Sequence, residues 1–333
     1  MPYGTLALDA ISTSGNLAIT GNTVTTGALV ASNMPGRNRL INGAMMVDQR
    51  NAGASQTINS AATTVTYTVD RWYAYSTGAN VTGQQVAGSV SNTYNYRFTG
   101  AASVTGIGFG QRIEALNSAD LAGTTATLSV GLANSLLNTV TWTAFYANTA
   151  NTFGNISTPT RTQIATGTFS VTSTVTRYST QIAVPAAATT GLDIVFSVGA
   201  QTSGTWTIGN AQFEAGAFAT PFERRLVGQE LALCQRYCYS QAVANLIGYI
   251  QSSSQPVFGK SLPVTMRAVP ALTFSGTCTI VYGSASTTTS STYVSDTSQV
   301  DSLGFSVTTS VGLTAGQSCR LQGGVTVTAS AEL

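Results

Sequence analysis

From residue 39 onward, apolar and polar positions alternate in short runs broken by Gly, Asn and Ser. Such runs cover residues 63–69, 71–75, 95–99, 124–131, 139–147, 166–171, 177–184, 192–198 and 205–208. A period of two puts every second side chain on one face of an extended strand, so each run predicts a strand with one buried face. That many short strands within residues 39–223 predict a two-sheet sandwich of the jelly-roll kind. Pro159 and Pro185 fall at the ends of runs, where a missing backbone donor costs least.

The period changes at residues 224–245. After Gly228 this stretch has neither Gly nor Pro, and Leu226, Leu233 and Tyr237 recur at helical spacing beside Cys234 and Cys238. It predicts one connecting helix. Residues 246–333 return to short strand-like runs at 257–259, 271–274, 278–282, 304–309 and 324–328, with few large apolar residues. They predict a small C-terminal β domain whose core needs partner chains to be filled. Residues 284–292 are nearly all Ser and Thr and predict an exposed hairpin or loop.

Residues 1–38 form a separate extension. Gly15-Asn16-Leu17-Ala18-Ile19-Thr20 is followed by Gly21-Asn22-Thr23-Val24-Thr25-Thr26 and then Gly27. A lone segment with this repeat cannot bury its apolar positions, whereas three copies wound together can. Leu17, Ile19 and Val24 are therefore candidate trimer-forming residues, with Leu226, Leu233 and Tyr237 of the expected helix. The alternative is an unstructured polar leader. The fold class expected is all-β: a fibre-like N-terminal β extension (1–38), a jelly-roll β-sandwich (39–223), one helix (224–245) and a small β domain (246–333).

Composition narrows the function classes. Charged residues are 8% of the 333-residue chain, against about 25% in ordinary soluble domains. Ser, Thr, Asn, Gln and Gly supply the polarity instead, as in fibres and extracellular binding modules. Net charge is +2, and Lys260 is the sole lysine. With no basic run, counterion-release binding to nucleic acid is not expected. No apolar stretch approaches the roughly 18–20 residues of a membrane helix, so no membrane insertion is expected. Residues 1–10 lack a basic stretch ahead of an apolar core, so no secretory signal is read there. Assembly in a host cytoplasm with release by lysis is the expectation. Cys234, Cys238, Cys278 and Cys319 are expected to be reduced, packed thiols. A Cys278–Cys319 bridge requires their strands to be neighbours.

Several segments resemble tailed-phage tail-fibre and related virion proteins. They are Asn38-Arg39-Leu40-Ile41-Asn42-Gly43-Ala44-Met45 with Asp48-Gln49-Arg50, then Asp70-Arg71-Trp72, Gln111-Arg112-Ile113-Glu114 and Leu121-Ala122-Gly123. The most specific is Gln212-Phe213-Glu214-Ala215-Gly216 with Ala219-Thr220-Pro221-Phe222-Glu223-Arg224-Arg225 and Gln229-Glu230-Leu231-Ala232-Leu233-Cys234-Gln235-Arg236-Tyr237. Met266-Arg267-Ala268-Val269-Pro270 recurs in the same setting. The resemblance covers roughly residues 38–275. It implies a carbohydrate-binding-module-like jelly roll, a homotrimer, attachment to other virion proteins through the N terminus, virion localisation and a host envelope glycan as ligand. It carries over no ligand residues.

Enzymatic chemistry is not expected. The chain has no histidine, which removes Ser-His-Asp and Cys-His sites and the usual zinc sets. No cofactor or metal site is read. Gly106-Ile107-Gly108-Phe109-Gly110 falls short of a dinucleotide fingerprint and reads as a tight edge or bulge. A glycosidase needs two facing carboxylates; Glu114 with Glu214 or Asp120 is the best available pair, and pairing of Glu114 with Arg112 is its simpler role. Asp70 and Glu223 also stand beside arginines. Trp72, Trp142 and Trp206 read as core. Tyr67, Tyr73, Tyr75, Tyr94, Tyr96 and Tyr146 form a pool from which an exposed sugar-stacking face could come. A structural fibre subunit that binds host glycan is thus the leading expectation. A head fibre or capsid decoration protein without specific adhesion, or a polysaccharide-cleaving enzyme, stands as an alternative. The outer face of the sandwich and the 284–292 segment are the candidate binding surfaces.

Overall fold

Twelve strands build the sandwich: β1 (Gln56–Ile58), β2 (Thr66–Tyr67), β3 (Tyr73–Thr77), β4 (Val81–Ala87), β5 (Tyr94–Thr99), β6 (Gly106–Ile113), β7 (Thr125–Asn134), β8 (Thr139–Ala147), β9 (Arg161–Ser170), β10 (Thr176–Ala183), β11 (Leu192–Val198) and β12 (Thr205–Ala215). They come from a computed structural model that describes residues 35–60, 65–88, 94–283, 286–310 and 312–333. Leu17, Ile19, Val24 and nearly all of the expected extension lie outside the described residues. One sheet has the order β1-β4-β5-β12-β7-β10 and the other β2-β3-β6-β11-β8-β9, with antiparallel pairing throughout.

The alternating side chains meet between the sheets in one core. An aromatic stack crosses it. Trp72 lies on Phe109 at 4.8 Å, Phe109 on Tyr96 at 5.2 Å, and Phe98 on Trp206 at 5.2 Å. The three tryptophans are buried, as the pattern predicts. The glycine-rich run differs from expectation: β6 is neither an edge nor a bulge but a central strand between β3 and β11.

The helix is shorter than its predicted 224–245. Only α1 (Val227–Gln235) is helical, and Cys238–Val243 forms strand β13. Tyr239 and Val243 suit a pleated surface, and β13 pairs with β20 (Ser318–Ser330), so tertiary pairing overrides helical spacing. Tyr237 is also not available to a second chain. It is 1% exposed, lies under the Arg71 guanidinium at 3.5 Å and donates its hydroxyl to Glu114 at 2.9 Å. Leu233 is half-buried against a small cluster containing Ile41, Val47 and Cys234, whereas Leu226 is 81% exposed.

The remaining strands are β14 (Leu246–Ser252), β15 (Gln255–Ser261), β16 (Ala271–Tyr282), β17 (Ser286–Ser290), β18 (Thr292–Ser295) and β19 (Ser302–Thr308). They form one sheet of order β17-β16-β20-β14-β15-β19-β18, with β13 beside the far half of β20. The sheet rolls until Tyr293 of β18 stacks on Phe274 of β16 at 4.9 Å. Contrary to expectation, it encloses a core of its own, including Phe258, Ile280, Phe305, Leu321 and Val327. The Ser/Thr-rich segment contributes β17 and the start of β18, with β17 paired to β16 as a hairpin. All four cysteines are buried and free. Cys278 and Cys319 sit on neighbouring strands but out of register, Cys319 opposite Tyr282 and Cys278 opposite Ser290.

The two β bodies are joined by buried charge. Glu332 accepts from Arg50 at 3.0 Å and also pairs with Arg71. Tyr67 donates to the Leu333 carbonyl at 2.8 Å, and Arg267 donates to the carbonyls of Ala331 and Glu332 at 2.9 Å. Gln49 bridges the bodies, donating to the Asp70 carboxylate and to the Cys238 carbonyl. Replacing Glu332 by Gln leaves the buried Arg71 without its counter-charge and Arg50 with Asp70 alone, at 3.8 Å. Denaturant titration should show a loss of about 3–5 kcal/mol; an unchanged midpoint would show that the pair does not hold the fold.

Burial pushes the Asp70 carboxyl up to about 6, with Arg50 and the Gln49 bonds pulling the other way. Between pH ~4 and ~6 the folded chain therefore keeps a proton that the unfolded chain has released. This contribution to stability is complete below pH ~4 and lost as pH rises through ~6. Asp70→Asn removes the titration, so its stability relative to wild type should climb by up to about 3 kcal/mol between pH ~4 and ~7. Unfolding measured across that range checks this; a flat difference would contradict it.

Candidate functional site

The outer face of the second sheet carries a regular array. Register places Tyr75 of β3, Gly108 of β6, Ser197 of β11, Thr141 of β8 and Thr168 of β9 in one row. The adjacent row is Tyr73, Gly110, Val195, Thr143 and Thr166, and the next holds Arg112, Asp193, Phe145 and Gln163. Both tyrosine rings cross β6 where it has no side chain. A Cβ on Gly108 would fall 2.1 Å from the Tyr75 ring, and one on Gly110 would fall 2.7 Å from the Tyr73 hydroxyl. Glycine at both positions is what lets the rings lie against the sheet.

Tyr73 is fully buried and Tyr75 half-buried. The Tyr73 hydroxyl donates to both Asp193 carboxylate oxygens at 2.8 and 2.9 Å and accepts from Arg161 at 3.2 Å. Arg161 also pairs with Asp193 and stacks over Phe145 at 4.2 Å. Arg112 adds a second guanidinium 3.9 Å from Asp193 and 5.2 Å from the Tyr73 ring. Burial raises the Asp193 pKa, and the two arginines and the Tyr73 bond oppose it. Burial likewise raises the Tyr75 pKa, so its hydroxyl stays a neutral donor and acceptor.

This cluster locks one end of the face and leaves the other neutral. Beside Tyr75 lie half-buried Ser197 and Thr141 and exposed Thr168. Thr143 and Thr166 share a hydroxyl–hydroxyl bond of 3.0 Å. The arrangement offers an aromatic plane flanked by hydroxyls. Such a surface stacks on the C–H face of a pyranose and exchanges hydrogen bonds with its hydroxyls.

The other sequence candidates fall elsewhere. Tyr96 is in the core, Tyr67 meets Leu333, Tyr146 packs partly against the core, and Tyr94 is 37% exposed at the start of β5. The three carboxylates considered for hydrolysis are engaged separately. Glu114 takes Arg236 at 3.2 Å and Tyr237, not Arg112. Glu214 takes Arg37 at 3.6 Å and Thr220, and Asp120 takes Arg39. Glu223 accepts from the Gly36 and Asn38 amides at 2.7 Å and lies 3.5 Å from Arg225. Among the described residues, no group of three or more His, Cys, Asp or Glu could hold a metal ion, and no helix is long and apolar enough to cross a membrane. Sequence reasoning missed Arg161, Asp193 and Phe145. The pairing of Tyr73-x-Tyr75 with Gly108-x-Gly110, both of period two, was the available signal.

No family model and no curated protein matches the sequence. Similar solved structures include a CBM4 structure at 15% identity and TM-score 0.34, the likeness covering 53% of this chain and 98% of the other. Another is the enzymatically active domain of tailspike protein 4 from bacteriophage CBA120, at 15% identity and TM-score 0.32. The likeness covers 54% of this chain and 21% of that one. A family 11 carbohydrate-binding module from Clostridium thermocellum, in complex with a β-1,3-1,4-mixed-linked tetrasaccharide, is 12% identical at TM-score 0.31, with 50% and 98% covered.

Proposed function

We propose that this chain is the subunit of a homotrimeric virion surface fibre that binds host envelope glycan through the outer face of the second sandwich sheet. The observation that carries the glycan reading is the Tyr75 ring laid across Gly108 in a row of hydroxyl side chains. A neutral face of this kind suits a hydroxyl-rich ligand and offers little to steer a charged macromolecule. The virion reading rests on the low charge and on the resemblance of residues 38–275. The N-terminal extension is the part assigned to attachment. The function is binding without catalysis, a reading supported by the arginine partners of Glu114, Glu214 and Asp120. Weak single sites gain from avidity when a trimer presents three of them.

The full chain is tested by screening host polysaccharide fragments and titrating those that bind. Tyr75→Ala should weaken binding by about tenfold, on the order of 1.4 kcal/mol. Tyr75→Phe, which keeps the plane, should retain most of it. Equal affinity of Tyr75→Ala and wild type, both folded, overturns the site.

Light scattering on the purified full chain should give three times the single-chain mass. A stable monomer at working concentration would sink the trimer.

A further inference from the structure

Two cavities in the C-terminal half share the same two residues, Lys260 and Ser261 at the end of β15. One, of about 570 Å³, opens where the sandwich meets the rolled sheet. The other, of about 530 Å³, runs over β14, β15 and β19. Each falls within the usual range for small-ligand sites, roughly 300–1,000 Å³, and the first lies at a junction between bodies, where such sites concentrate.

Their linings differ in a useful way. In the junction cavity Lys260 is the only charged side chain. Its ammonium stands 5.9 Å from the Tyr239 ring centroid and makes no ion pair among the described residues. Around it are the amides of Gln49, Gln235 and Gln241 and an apolar wall of Leu231 and Leu262. Tyr239 donates to the Gln241 carbonyl oxygen, and the Nε2 group at the other end of that amide is a donor. In the second cavity the outer surface of the sheet has no side chain at Gly259 and Gly304, which are register partners on β15 and β19. A Cβ on Gly304 would meet the Thr297 backbone at 3.2 Å, so glycine there lets the 296–297 loop close in as a wall. Tyr249, 53% exposed, and Ile247, 71% exposed, form the opposite rim.

We infer that these cavities form one extended groove for an acidic oligosaccharide. A carboxylate-bearing sugar seats in the junction cavity against Lys260, Gln235 and Gln241, on the Phe258–Leu303 face of β15, and its neighbours cross the strand end at Ser261 to the opposite face, over Gly259 and past Tyr249. β14 pairs with β15 only as far as Gly248 opposite Phe258, so a peptide adding to the 259–261 edge is the competing occupant, and an acidic peptide is therefore among the probes. The groove is independent of the Tyr75 face and stands or falls without it.

The probes are oligomers of uronic acids, their carboxyl-reduced counterparts and an acidic peptide of matched charge, each titrated into the full-length protein. At least one uronic oligomer should bind wild type, weaken as salt is raised, and weaken about tenfold or more in Lys260→Gln. Lys260→Arg should restore part of the affinity, Tyr75→Ala should leave it unchanged, and carboxyl reduction of the oligomer should weaken it. Thermal unfolding of each variant confirms that it is folded. Three results each overturn the inference: no uronic oligomer binding at millimolar concentration, wild-type affinity in folded Lys260→Gln, or equal binding of the acidic peptide. Loss of uronic binding in Tyr75→Ala with retention in Lys260→Gln also overturns it, by placing the acidic sugar on the sandwich.

Discussion

One carboxylate holds the two β bodies together. Glu332 is the counter-charge for Arg50 and for Arg71, whose side chains are 14% and 1% exposed. Arg71 could not be dehydrated alone, because an unpaired buried charge costs several kcal/mol, whereas Arg50 has Asp70 at 3.8 Å as a second partner. Residues 331–333 therefore have to dock for Arg71 to be buried, and the rolled sheet that carries them is fixed against the sandwich. Arg71 then serves a second purpose as the ceiling of the Tyr237 ring, whose hydroxyl reaches Glu114. Glu114 in turn binds Arg236 and approaches Arg267. The junction cavity lies between the bodies that this polar network holds together.

The same network explains a surface with so little charge. Asp70, Glu114, Asp193, Glu214, Glu230 and Glu332 are all buried beside arginines. A chain with 8% charged residues thus places much of its charge inside, where bidentate, always-protonated guanidinium is the cation that tolerates it. What faces water is mostly hydroxyl and amide. Such a surface recognises through hydrogen bonds and aromatic planes, with little long-range steering.

Alternation of period two made the strands of the sandwich readable, and β8 and β11 match their predicted bounds. It failed where glycine replaced the apolar marker. Gly106 to Gly110 carries too few side chains to look like a central strand, yet β6 is central because the tyrosines of β3 supply the missing bulk. It failed again after Gln235, where Cys238 and Tyr239 continue a helical spacing on paper. The partner strand lies about ninety residues later, at Cys238–Ser330, and no local signal announces it. The acid–arginine pairs were foreseeable as pairs but not as partners: Glu114 neighbours Arg112 in sequence and binds Arg236 in space.

Those failures share a cause that bears on the binding faces. Both candidate surfaces are defined by glycine: the tyrosine rings take the space above Gly108 and Gly110, and in the second groove Thr297 closes on Gly304 while Gly259 stays open. A side chain can be assigned a chemistry from its identity, but an opening acquires one only from the strands that register puts beside it. At β6 the neighbours are tyrosine and serine, which makes a neutral plane; at β15 the opening runs to Lys260, which adds a cation at one end. Two surfaces with the same architectural origin thus differ in charge, one neutral and one ending in a cation. The difference follows from register alone.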